Sequence, residues 1–591
     1  MQAELRMADG TNGAPAGVTV SQTFVEWLTV ERAAYAGVTM LALGVRLHDL
    51  GSTLLAPAAA IQALPAWSAA SARPFDLTGI SPLLFGLQRL LFTSIGASDA
   101  SARFLPALLG GLTPLLFYGL RDRLGRGGAL MAALLWAISP MAIFAGRTGL
   151  GYGLVPPIAL AFFACLNLFA RERSSRWLVW TGIMLGLLLA SGPGAYTVLL
   201  AFLLGAVIWR KSLGGLWGGL EAGWKRLLLA AVLSLLFAST FFLAAPSGLA
   251  AAADLLGKWV TGFGADPAGY SAWSLLRRLA LSELLVVGFG IGGLVMAARR
   301  RDPAGLFAAL IAGLALAVPL LSAGRHPADL GLTVLALTAL AGPAVAWTLS
   351  VVPSWRREID PWLLIALSLV LLSSAVMSLP SYFAAVTDEY HRLYSGVGIG
   401  TFALAIALWV IYGVWGSWRT VGRVLPVLCL IIGLAWNIDQ LSALNFDRGA
   451  GREAAVLLES PAGGLLDLKS EMHALSGLNR GGANEAQTDL VLPLSDSASL
   501  TPMMRWVLRD LPALRVLTGL PSDPASLVIT VADKEQQPGE QYSGTQFAVL
   551  RGWQPESMTG FDEWLRWILY REAKTPVQEK TIVLWADRTK Q

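Results

Sequence analysis

Charged residues are scarce in this chain. Only 14% of its 591 residues are Asp, Glu, Lys or Arg, whereas soluble domains carry about 25%. Hydrophobic residues make up 55% of the chain, and its mean hydropathy is +0.59. This balance excludes a soluble globular enzyme. It also excludes a disordered chain, because disorder requires low hydrophobicity and many charges.

Cysteine is almost absent as well. The two cysteines, Cys165 and Cys429, both lie inside apolar runs, so the sequence offers neither a disulfide framework nor a cysteine-based metal site. The sequence also lacks a Walker motif, an HExxH motif and a GxSxG motif in a strand–turn–helix setting. It therefore gives no support to a P-loop, zinc-protease or serine-hydrolase function.

The basic residues are few but clustered. The net charge is +5 and the isoelectric point is about 9.2. Lys and Arg occur in short groups between apolar segments, a pattern that indicates membrane topology rather than a nucleic-acid partner. The 22 tryptophans fit the aromatic belts at membrane interfaces. We predict a polytopic membrane protein whose partners include membrane lipids, and we expect no nucleic acid.

Apolar runs that could cross a bilayer recur along the first three quarters of the chain. A transmembrane helix needs about 17–25 mostly apolar residues. We place thirteen spans near 33–48, 103–120, 128–145, 152–170, 177–191, 195–209, 226–244, 279–298, 304–320, 329–349, 361–379, 397–415 and 424–441. The first 30 residues contain Glu, Asp and Gly before any apolar stretch, so we expect no cleavable signal peptide.

Alternate loops carry the basic residues, which sets the predicted orientation. The basic loops contain Arg121/Arg123/Arg126, Arg171/Arg173/Arg176, Arg210/Lys211/Lys225/Arg226, Arg299/Arg300/Arg301, Arg356/Arg357 and Arg419/Arg423. The loops between them hold at most one basic residue, apart from 245–278. The positive-inside rule then makes residues 1–32 a cytoplasmic segment of a cell (inner) membrane protein, 33–441 its transmembrane domain and 442–591 an extracytoplasmic domain.

This topology holds only if 82–95 does not cross the membrane. The segment is short and carries Gln88 and Arg89 in its middle. We predict an interfacial helix there, lying along the outer surface. Residues 51–102 then form one long outer loop.

The tail, 442–591, has a different character, because charge and turn residues return. The predicted strands, rich in Val, Ile and Leu, are 454–460, 488–494, 526–533, 546–553 and 581–587. The predicted helices are 463–476, 501–512 and 561–573. Strands that alternate with helices predict a small α/β domain.

Three stretches resemble the GT-C glycosyltransferase superfamily, which includes protein O-mannosyltransferases and aminoarabinose transferases. Residues 46–67, RLHDLGSTLLAPAAAIQALPAW, are similar to the start of its first outer loop. Residues 75–120 resemble its "PPL … R-l-p-a-l-x-G" stretch, and 136–147, WAISPMAIFAGR, its "S-P … S-R" stretch. The resemblance implies a polytopic α-helical GT-C-like fold of about thirteen transmembrane helices, with a small extracytoplasmic domain.

One bacterial and archaeal subgroup is especially similar: the flippase-activity-associated glycosyltransferase-like proteins. FDLTGISPLLFGL at 75–87 resembles their outer loop, and RWVLRDLP at 505–512 with SLVITVAD at 526–533 resembles their tails. The resemblance implies transfer of a sugar from a polyprenyl-phosphate donor on the outer face of the membrane.

The family's usual acidic residues are missing. A carboxylate activates the acceptor in this chemistry, and cations bind the phosphate leaving group. The family's Asp-Glu pair is matched here by Ala58, Ala59 and Ala60. The His of its "HGP" motif is matched by Ile80, and a second Arg and an Asn-Asp pair by 150–152. The pattern suggests a site that has lost its usual chemistry.

Three polar family positions remain. Asp76 is the candidate catalytic carboxylate, although FDLTG also has the composition of a turn. Arg147 is a candidate contact for a lipid phosphate or a snorkelling arginine at a span end. Arg103 is a second candidate contact or a structural anchor.

Other outer-face groups are further candidates. In GRHPAD, Arg325 and His326 are candidates to contact a phosphate or a sugar. In DEYHR, Asp388, Glu389 and His391 have a spacing that offers ligands to a divalent cation, and the alternative is a solvated loop.

Glu283, which lies within an apolar run, is a further candidate. Carboxylates inside the membrane are functional candidates by default, and pairing with Arg277 or Arg278 is the structural alternative.

Two functions from different classes follow. The first is a GT-C-like transferase with a polyprenyl-phosphate-linked sugar as donor. The second is a catalytically degenerate protein that keeps the fold and serves as a scaffold or accessory subunit of a membrane or envelope complex. A secondary transporter is less favoured, because the sequence shows neither internal symmetry nor midplane charged pairs.

Overall fold

The computed structural model describes residues 29–588, except for 211–213, 265–269, 386, 447–459, 481–487, 493–496, 512–513, 533–536, 554–557, 559 and 571–576. The described chain is mainly helical up to residue 446 and combines a small sheet with helices after residue 459. The predicted change of architecture near residue 442 is thus visible in the secondary structure.

The helices of the first part follow one another with short connections. They are α1 (Val30–Leu47), α2 (Pro57–Ala70), α3 (Pro82–Ile95), α4 (Asp99–Phe117), α5 (Arg121–Leu124), α6 (Arg126–Ile138), α7 (Pro140–Arg147), α8 (Val155–Glu172), α9 (Ser175–Leu189), α10 (Gly194–Ile208), α11 (Gly214–Ser239), α12 (Gly248–Thr261), α13 (Ala272–Ser282), α14 (Leu284–Arg300), α15 (Pro303–Leu321), α16 (Leu330–Val351), α17 (Asp360–Ala384), α18 (Asp388–Tyr412) and α19 (Trp418–Asn445).

Within the described residues, six helical segments are long and apolar enough to cross a membrane, and eight if each of two bent helix pairs is one span. Three shorter apolar helices, α3, α9 and α10, lie among them. The protein is therefore a multi-pass membrane protein, and the count of thirteen spans stays a prediction.

Helix α3 is the segment that we expect at the membrane surface. It has 14 residues, which at 1.5 Å per residue make about 21 Å, less than the roughly 30 Å of a bilayer core. The Gln88 side chain is buried and donates to the carbonyl of Ala102 at 2.9 Å. This length suits a helix that does not span, and its placement at the outer interface stays a prediction.

Two predicted spans are not straight helices. The segment 128–145 is divided into α6 and α7, which meet at 57°, and 279–298 overlaps α13 and α14, which meet at 92°. Ser139 and Glu283 are the residues at the two breaks. The first break has a local cause, since Pro140 lacks an N–H and disfavours helical geometry at Ser139.

The tail forms a six-stranded mixed sheet with three helices. Its elements are β1 (Ser460–Pro461), α20 (Gly464–Arg480), β2 (Thr488–Val491), α21 (Ser497–Val507), β3 (Leu514–Leu517), β4 (Leu527–Val531), β5 (Tyr542–Gly552), α22 (Phe561–Tyr570) and β6 (Gln578–Asp587). The strand order is β1-β5-β6-β4-β2-β3. Strand β2 runs parallel to β3 and β4, and the other pairings are antiparallel.

The sequence predictions for the tail agree with these elements, with two exceptions. Four predicted strands overlap β2, β4, β5 and β6, and the three predicted helices overlap α20, α21 and α22. The predicted strand 454–460 lies outside the described residues except for Ser460, which is in β1. Strand β3 was missed, because its four residues follow a helix without a strong turn signal.

The tail motif RWVLRD docks the sheet domain onto the outer loop. Trp506 is fully buried and packs against Phe92 of α3, with ring centroids 5.8 Å apart. Its indole N–H donates to Asp99 Oδ1 at 3.0 Å, and Arg509 donates to the carbonyl of Ala97 at 2.9 Å. The outer loop and the tail thus share one apolar cluster.

Candidate functional site

A cavity of about 220 Å³ lies between the first outer loop, the end of α7 and the tail. We call it the arginine cavity. Its lining residues are Leu50, Ser52, Thr53, Leu54, Ala56, Ala58, Ala59, Arg103, Phe144, Arg147, Thr148, Leu150, His326, Leu444, Asn445, Ser460, Pro461, Ala462, Gly463, Leu466 and Arg551. The fold therefore brings together three predicted site residues that are up to 223 positions apart, Arg103, Arg147 and His326.

Arg147 is the last residue of α7. Its guanidinium donates to the carbonyls of Arg46 at 3.0 Å and His48 at 2.7 Å, at the end of α1. It also lies over the ring of Phe446, 4.9 Å from the centroid. These contacts fix the guanidinium at the wall of the cavity.

Arg103 is bound in the same way. One of its nitrogens donates to the carbonyl of Thr53 at 2.6 Å, and the other to that of Leu54 at 2.7 Å. Gly149 lies against the stem: its φ is +74°, and a Cβ added there would come within 3.3 Å of Arg103 Cγ. Arg103 is thus both the anchor of the outer loop and part of the cavity wall.

The described lining of the arginine cavity contains no carboxylate. Ala58 and Ala59, which match the family's acidic positions, lie in α2 and face the cavity. Two of the positions at which the family's acidic residues are replaced therefore lie on the wall of this cavity.

The break between α6 and α7 contains a buried cation that the sequence analysis did not single out. Arg46 has no exposed surface, and it donates to the carbonyls of Trp136 at 2.9 Å and Ala137 at 3.1 Å. These carbonyls belong to the last turn of α6, where a positive charge is favoured by the helix dipole. A charged residue inside an apolar run was the signal that could have found it.

A buried carboxyl group occupies the other side of the same break. Glu283 has no exposed surface, and its Oε1 accepts from Ser139 Oγ at 2.5 Å and from the backbone N–H of Met141 at 2.8 Å. The predicted alternative of pairing with Arg277 or Arg278 was wrong. Arg277 lies over two tryptophan rings, and Arg278 donates to Ser274.

These two side chains cap the two helix ends that meet at the break. Arg46 donates to free carbonyls in the last turn of α6, and Glu283 accepts from a free N–H in the first turn of α7. Helix α7 has only eight residues, and Arg147 is its last. The caps therefore fix the helix that carries Arg147 into the cavity.

His326 lies between the arginine cavity and a second cavity. Its Nδ1 accepts from the N–H of Ala328 at 3.1 Å, and its ring stacks on Tyr152 with centroids 5.8 Å apart and an interplanar angle of 4°. Burial and the charge of Arg278 lower the pKa of His326 to about 4. The imidazole is therefore neutral near pH 7, with its proton on Nε2.

The second cavity has a volume of about 320 Å³, and we call it the Asp329 cavity. Its lining residues are Tyr152, Val155, Pro193, Gly194, Thr197, Lys258, Trp259, Thr261, Gly262, Ala315, Val318, Pro319, Ser322, Gly324, Ala328, Asp329 and Leu332. Arg325, another predicted site residue, lines neither cavity. It donates to the carbonyls of Ser322 at 2.7 Å and Tyr270 at 3.0 Å.

Asp76 has a local role. Its Oδ1 accepts from the N–H and the hydroxyl of Thr78, at 3.0 and 2.8 Å, which forms an Asx turn. These hydrogen bonds hold the pKa of Asp76 below its usual value. Asp76 is exposed and lines neither cavity, so the turn interpretation accounts for what the structure shows of it.

The residues of the predicted cation site lie at the start of α18. Asp388 and Glu389 are exposed in its first turn, where the helix dipole favours acidic side chains. His391 lies edge-on to Tyr382, with centroids 5.0 Å apart. No three His, Cys, Asp or Glu residues come together as metal ligands in the described part of the chain. The cation site stays a prediction.

Comparison with known proteins gives one sequence family. Residues 80–243 match the family described as dolichyl-phosphate-mannose-protein mannosyltransferase. The match runs from the start of α3 through the predicted seventh span. No curated protein matches the chain by sequence.

Comparison of folds gives longer matches. The apo structure of ArnT from Cupriavidus metallidurans has a TM-score of 0.54 and 15% identity, over 95% of this chain and 98% of that one. The structure of ArnT bound to undecaprenyl phosphate has a TM-score of 0.53 and 15% identity, over 93% and 97%. The archaeal oligosaccharyltransferase AglB from Archaeoglobus fulgidus is similar at 12% identity over 82% and 64%, with a TM-score of 0.47.

The chain therefore has the fold of the GT-C glycosyltransferases, and the resemblance drawn from its sequence is confirmed at that level. Within that fold class its likeness is to ArnT over almost the whole length of both chains. The flippase-associated subgroup stays a prediction.

Proposed function

We propose that this protein is a GT-C membrane glycosyltransferase that binds a polyprenyl-phosphate-linked sugar in the arginine cavity, on the outer face of the cell membrane. The observation that carries the proposal is the meeting of Arg103 and Arg147 in one cavity whose described lining has no Asp or Glu. Guanidinium groups remain charged at all relevant pH values and match the geometry of phosphate oxygens. A cavity with this charge favours an anionic headgroup.

The known ligand of a protein with the same fold supports this class of lipid. ArnT was solved with undecaprenyl phosphate bound. We assign the same class of carrier to the arginine cavity, with the phosphate near the two arginines and the apolar chain directed into the membrane.

The two arginines would act on the leaving group. When the bond between the sugar's anomeric carbon and the phosphate oxygen breaks, negative charge develops on the phosphate. Cations that are already in place stabilise that charge without reorganisation. Arg103 and Arg147 are fixed in advance by backbone carbonyls, which is the preorganisation that such a role requires.

A second function is favoured by Ala58 and Ala59 on the cavity wall. Without a base, the same cavity would bind the carrier lipid and transfer nothing. The protein would then be an accessory or scaffold subunit of a membrane or envelope complex.

Titration with undecaprenyl phosphate tests the binding step. Purified protein in nanodiscs is titrated with the lipid, and native mass spectrometry gives the bound fraction for wild type, Arg103→Gln and Arg147→Gln. A charge-assisted hydrogen bond contributes about 1.5–3 kcal/mol, so each variant is expected to bind about tenfold more weakly or worse.

Arg73→Gln is the matched control. Arg73 is an exposed arginine of the same outer loop, stacked 4.7 Å from the ring centroid of Trp67 and outside both cavities. It is expected to bind like wild type. Equal affinity in all four proteins would place the lipid phosphate elsewhere.

Incubation with a panel of polyprenyl-phosphate sugars separates the two functions. Turnover with any donor supports the transferase. Saturable lipid binding without turnover, together with stoichiometric co-purification of other membrane proteins, supports the accessory subunit.

A further inference from the structure

Asp329 is the one carboxylate in the described linings of the two cavities. It is the acidic residue that lines the Asp329 cavity, and the described lining of the arginine cavity has none. Asp329 ends the short 3-10 turn Pro327–Asp329 that leads into α16. The turn begins directly after His326, which lines the other cavity.

The wall between the two cavities is one turn thick. The backbone N–H of His326 donates to Asp329 Oδ2 at 3.0 Å. A residue that lines the arginine cavity thus contacts the carboxylate of a residue that lines the Asp329 cavity. Tyr152, stacked on His326, lines the Asp329 cavity as well. The turn that contains His326 and Asp329 is therefore a wall of both cavities.

The contacts of Asp329 fix one carboxylate oxygen. Oδ2 accepts from the His326 N–H within the capping box of the turn. Because a carboxylate offers about four lone-pair sites, this bond orients the group without exhausting its acceptor capacity. The arrangement is that of an oriented base.

The remaining wall of the Asp329 cavity suits a hydroxylated ligand. The indole of Trp259 offers an aromatic face, and the hydroxyls of Thr197, Thr261 and Ser322 line the same space. Lys258 is at the rim and donates to the carbonyl of Gly79 at 2.6 Å. Aromatic faces pack on the C–H faces of sugars, and hydroxyls and carboxylates exchange hydrogen bonds with sugar hydroxyls.

We infer that Asp329 is the catalytic base of the transfer reaction and acts on a hydroxyl of a sugar-like acceptor bound in the Asp329 cavity. This inference rests on the proposed function. It assigns to Asp329 the role that the family gives to the positions occupied here by Ala58, Ala59 and Ala60.

The step balances as a simple displacement. The acceptor oxygen attacks the anomeric carbon of the donor, so a new carbon–oxygen bond forms while the bond from that carbon to the phosphate oxygen breaks. The proton of the acceptor hydroxyl moves to the Asp329 carboxylate. The electron pair of the broken bond leaves with the polyprenyl phosphate, whose charge faces Arg103 and Arg147.

Asp329→Asn is the first test. The amide keeps the shape and an acceptor for the His326 N–H, but it cannot take a proton. General-base assistance contributes about 10²–10⁴-fold, so single-turnover transfer is expected to fall by that factor. Binding of undecaprenyl phosphate, measured by native mass spectrometry, is expected to stay at the wild-type level because that lipid lies in the arginine cavity.

Asp254→Asn is the matched control. Asp254 is an exposed carboxylate of α12 that lines neither cavity. Its transfer rate is expected to equal that of wild type.

Asp329→Ala with added formate is the second test. The alanine leaves room for a small carboxylate, so formate is expected to restore transfer in Asp329→Ala and to leave Asp254→Asn unchanged. Melting temperatures of all variants show whether a loss of rate reflects unfolding. A purely structural role for Asp329 predicts a lower melting temperature and no rescue.

The outcomes separate this inference from the proposed function. If the wild-type protein transfers sugar and Asp329→Asn transfers at the same rate, the role of Asp329 is overturned and the proposed function stands. The same holds if the rate lost in Asp329→Ala is not restored by formate. Wild-type protein that binds undecaprenyl phosphate but transfers from no donor also overturns it, and leaves the lipid site standing. Absence of lipid binding overturns the proposed function itself.

Discussion

Replacing Glu283 tests whether buried charges hold the broken span that carries Arg147. The Glu283 side chain has no exposed surface and accepts two hydrogen bonds, from Ser139 Oγ and from the N–H of Met141. In Glu283→Ala both donors lose their partner in a buried site. A buried donor that is left without a partner costs about 1–3 kcal/mol.

The expected loss in unfolding free energy for Glu283→Ala is about 2–6 kcal/mol, the sum for the two donors. Glu283→Gln keeps one carbonyl oxygen as an acceptor for both donors, so its loss is expected to be about 1–2 kcal/mol, near that of one ordinary buried hydrogen bond. If Glu283 caps α7, the free energy of unfolding should increase in the order Glu283→Ala, Glu283→Gln, wild type.

Thermal unfolding in nanodiscs, followed by tryptophan fluorescence, measures the order. Binding of undecaprenyl phosphate to Glu283→Gln at a temperature where the variant is folded reports on Arg147, and we expect weaker binding as α7 shifts. A Glu283→Ala protein that melts like wild type would show that the carboxylate does not hold the break. Glu471→Ala, at an exposed position in the interior of α20, is the control and should melt like wild type.

Three further predictions address other parts of the molecule. Trp506→Ala should lower the unfolding free energy by about 3–5 kcal/mol, and Trp506→Phe by less, in denaturant titrations; equal values would contradict docking by this residue. In a cysteine-free background, Ser470→Cys should react with an impermeant thiol reagent on intact cells and Arg126→Cys should not; the reverse labelling refutes the predicted orientation. Burial lowers the pKa of His326 to about 4, so the unfolded chain binds more protons between about pH 4 and 6.5. The melting temperature should fall as the pH is lowered through that window, and less so in His326→Gln.

Local patterns in the sequence were enough for the class of protein and for most elements. Long apolar runs must satisfy their backbone groups internally in a membrane, so they form helices wherever they occur. The strands of the tail could be predicted for a similar reason, because a strand such as 527–531 is a short run of Val, Ile and Leu bounded by turns. The loss of the acidic positions at Ala58 and Ala59 was also visible in the sequence, since it depends on a motif and not on a fold.

Only the tertiary structure decided which polar residues meet. Arg46 binds carbonyls 90 and 91 positions further along the chain, and Glu283 binds Ser139 across 144 positions. The sequence could not pair these groups, although Pro140 marks the break, because a backbone carbonyl or N–H is the same at every residue and becomes a partner only where a helix breaks. The juxtaposition of His326 with Asp329 follows from a four-residue turn, but the two cavities on either side of that turn are formed by helices far apart in sequence. Burial, the positions of helix ends and the wall that two cavities share are properties of packing. The sequence therefore indicates candidate residues, and the tertiary structure shows which of them lie together.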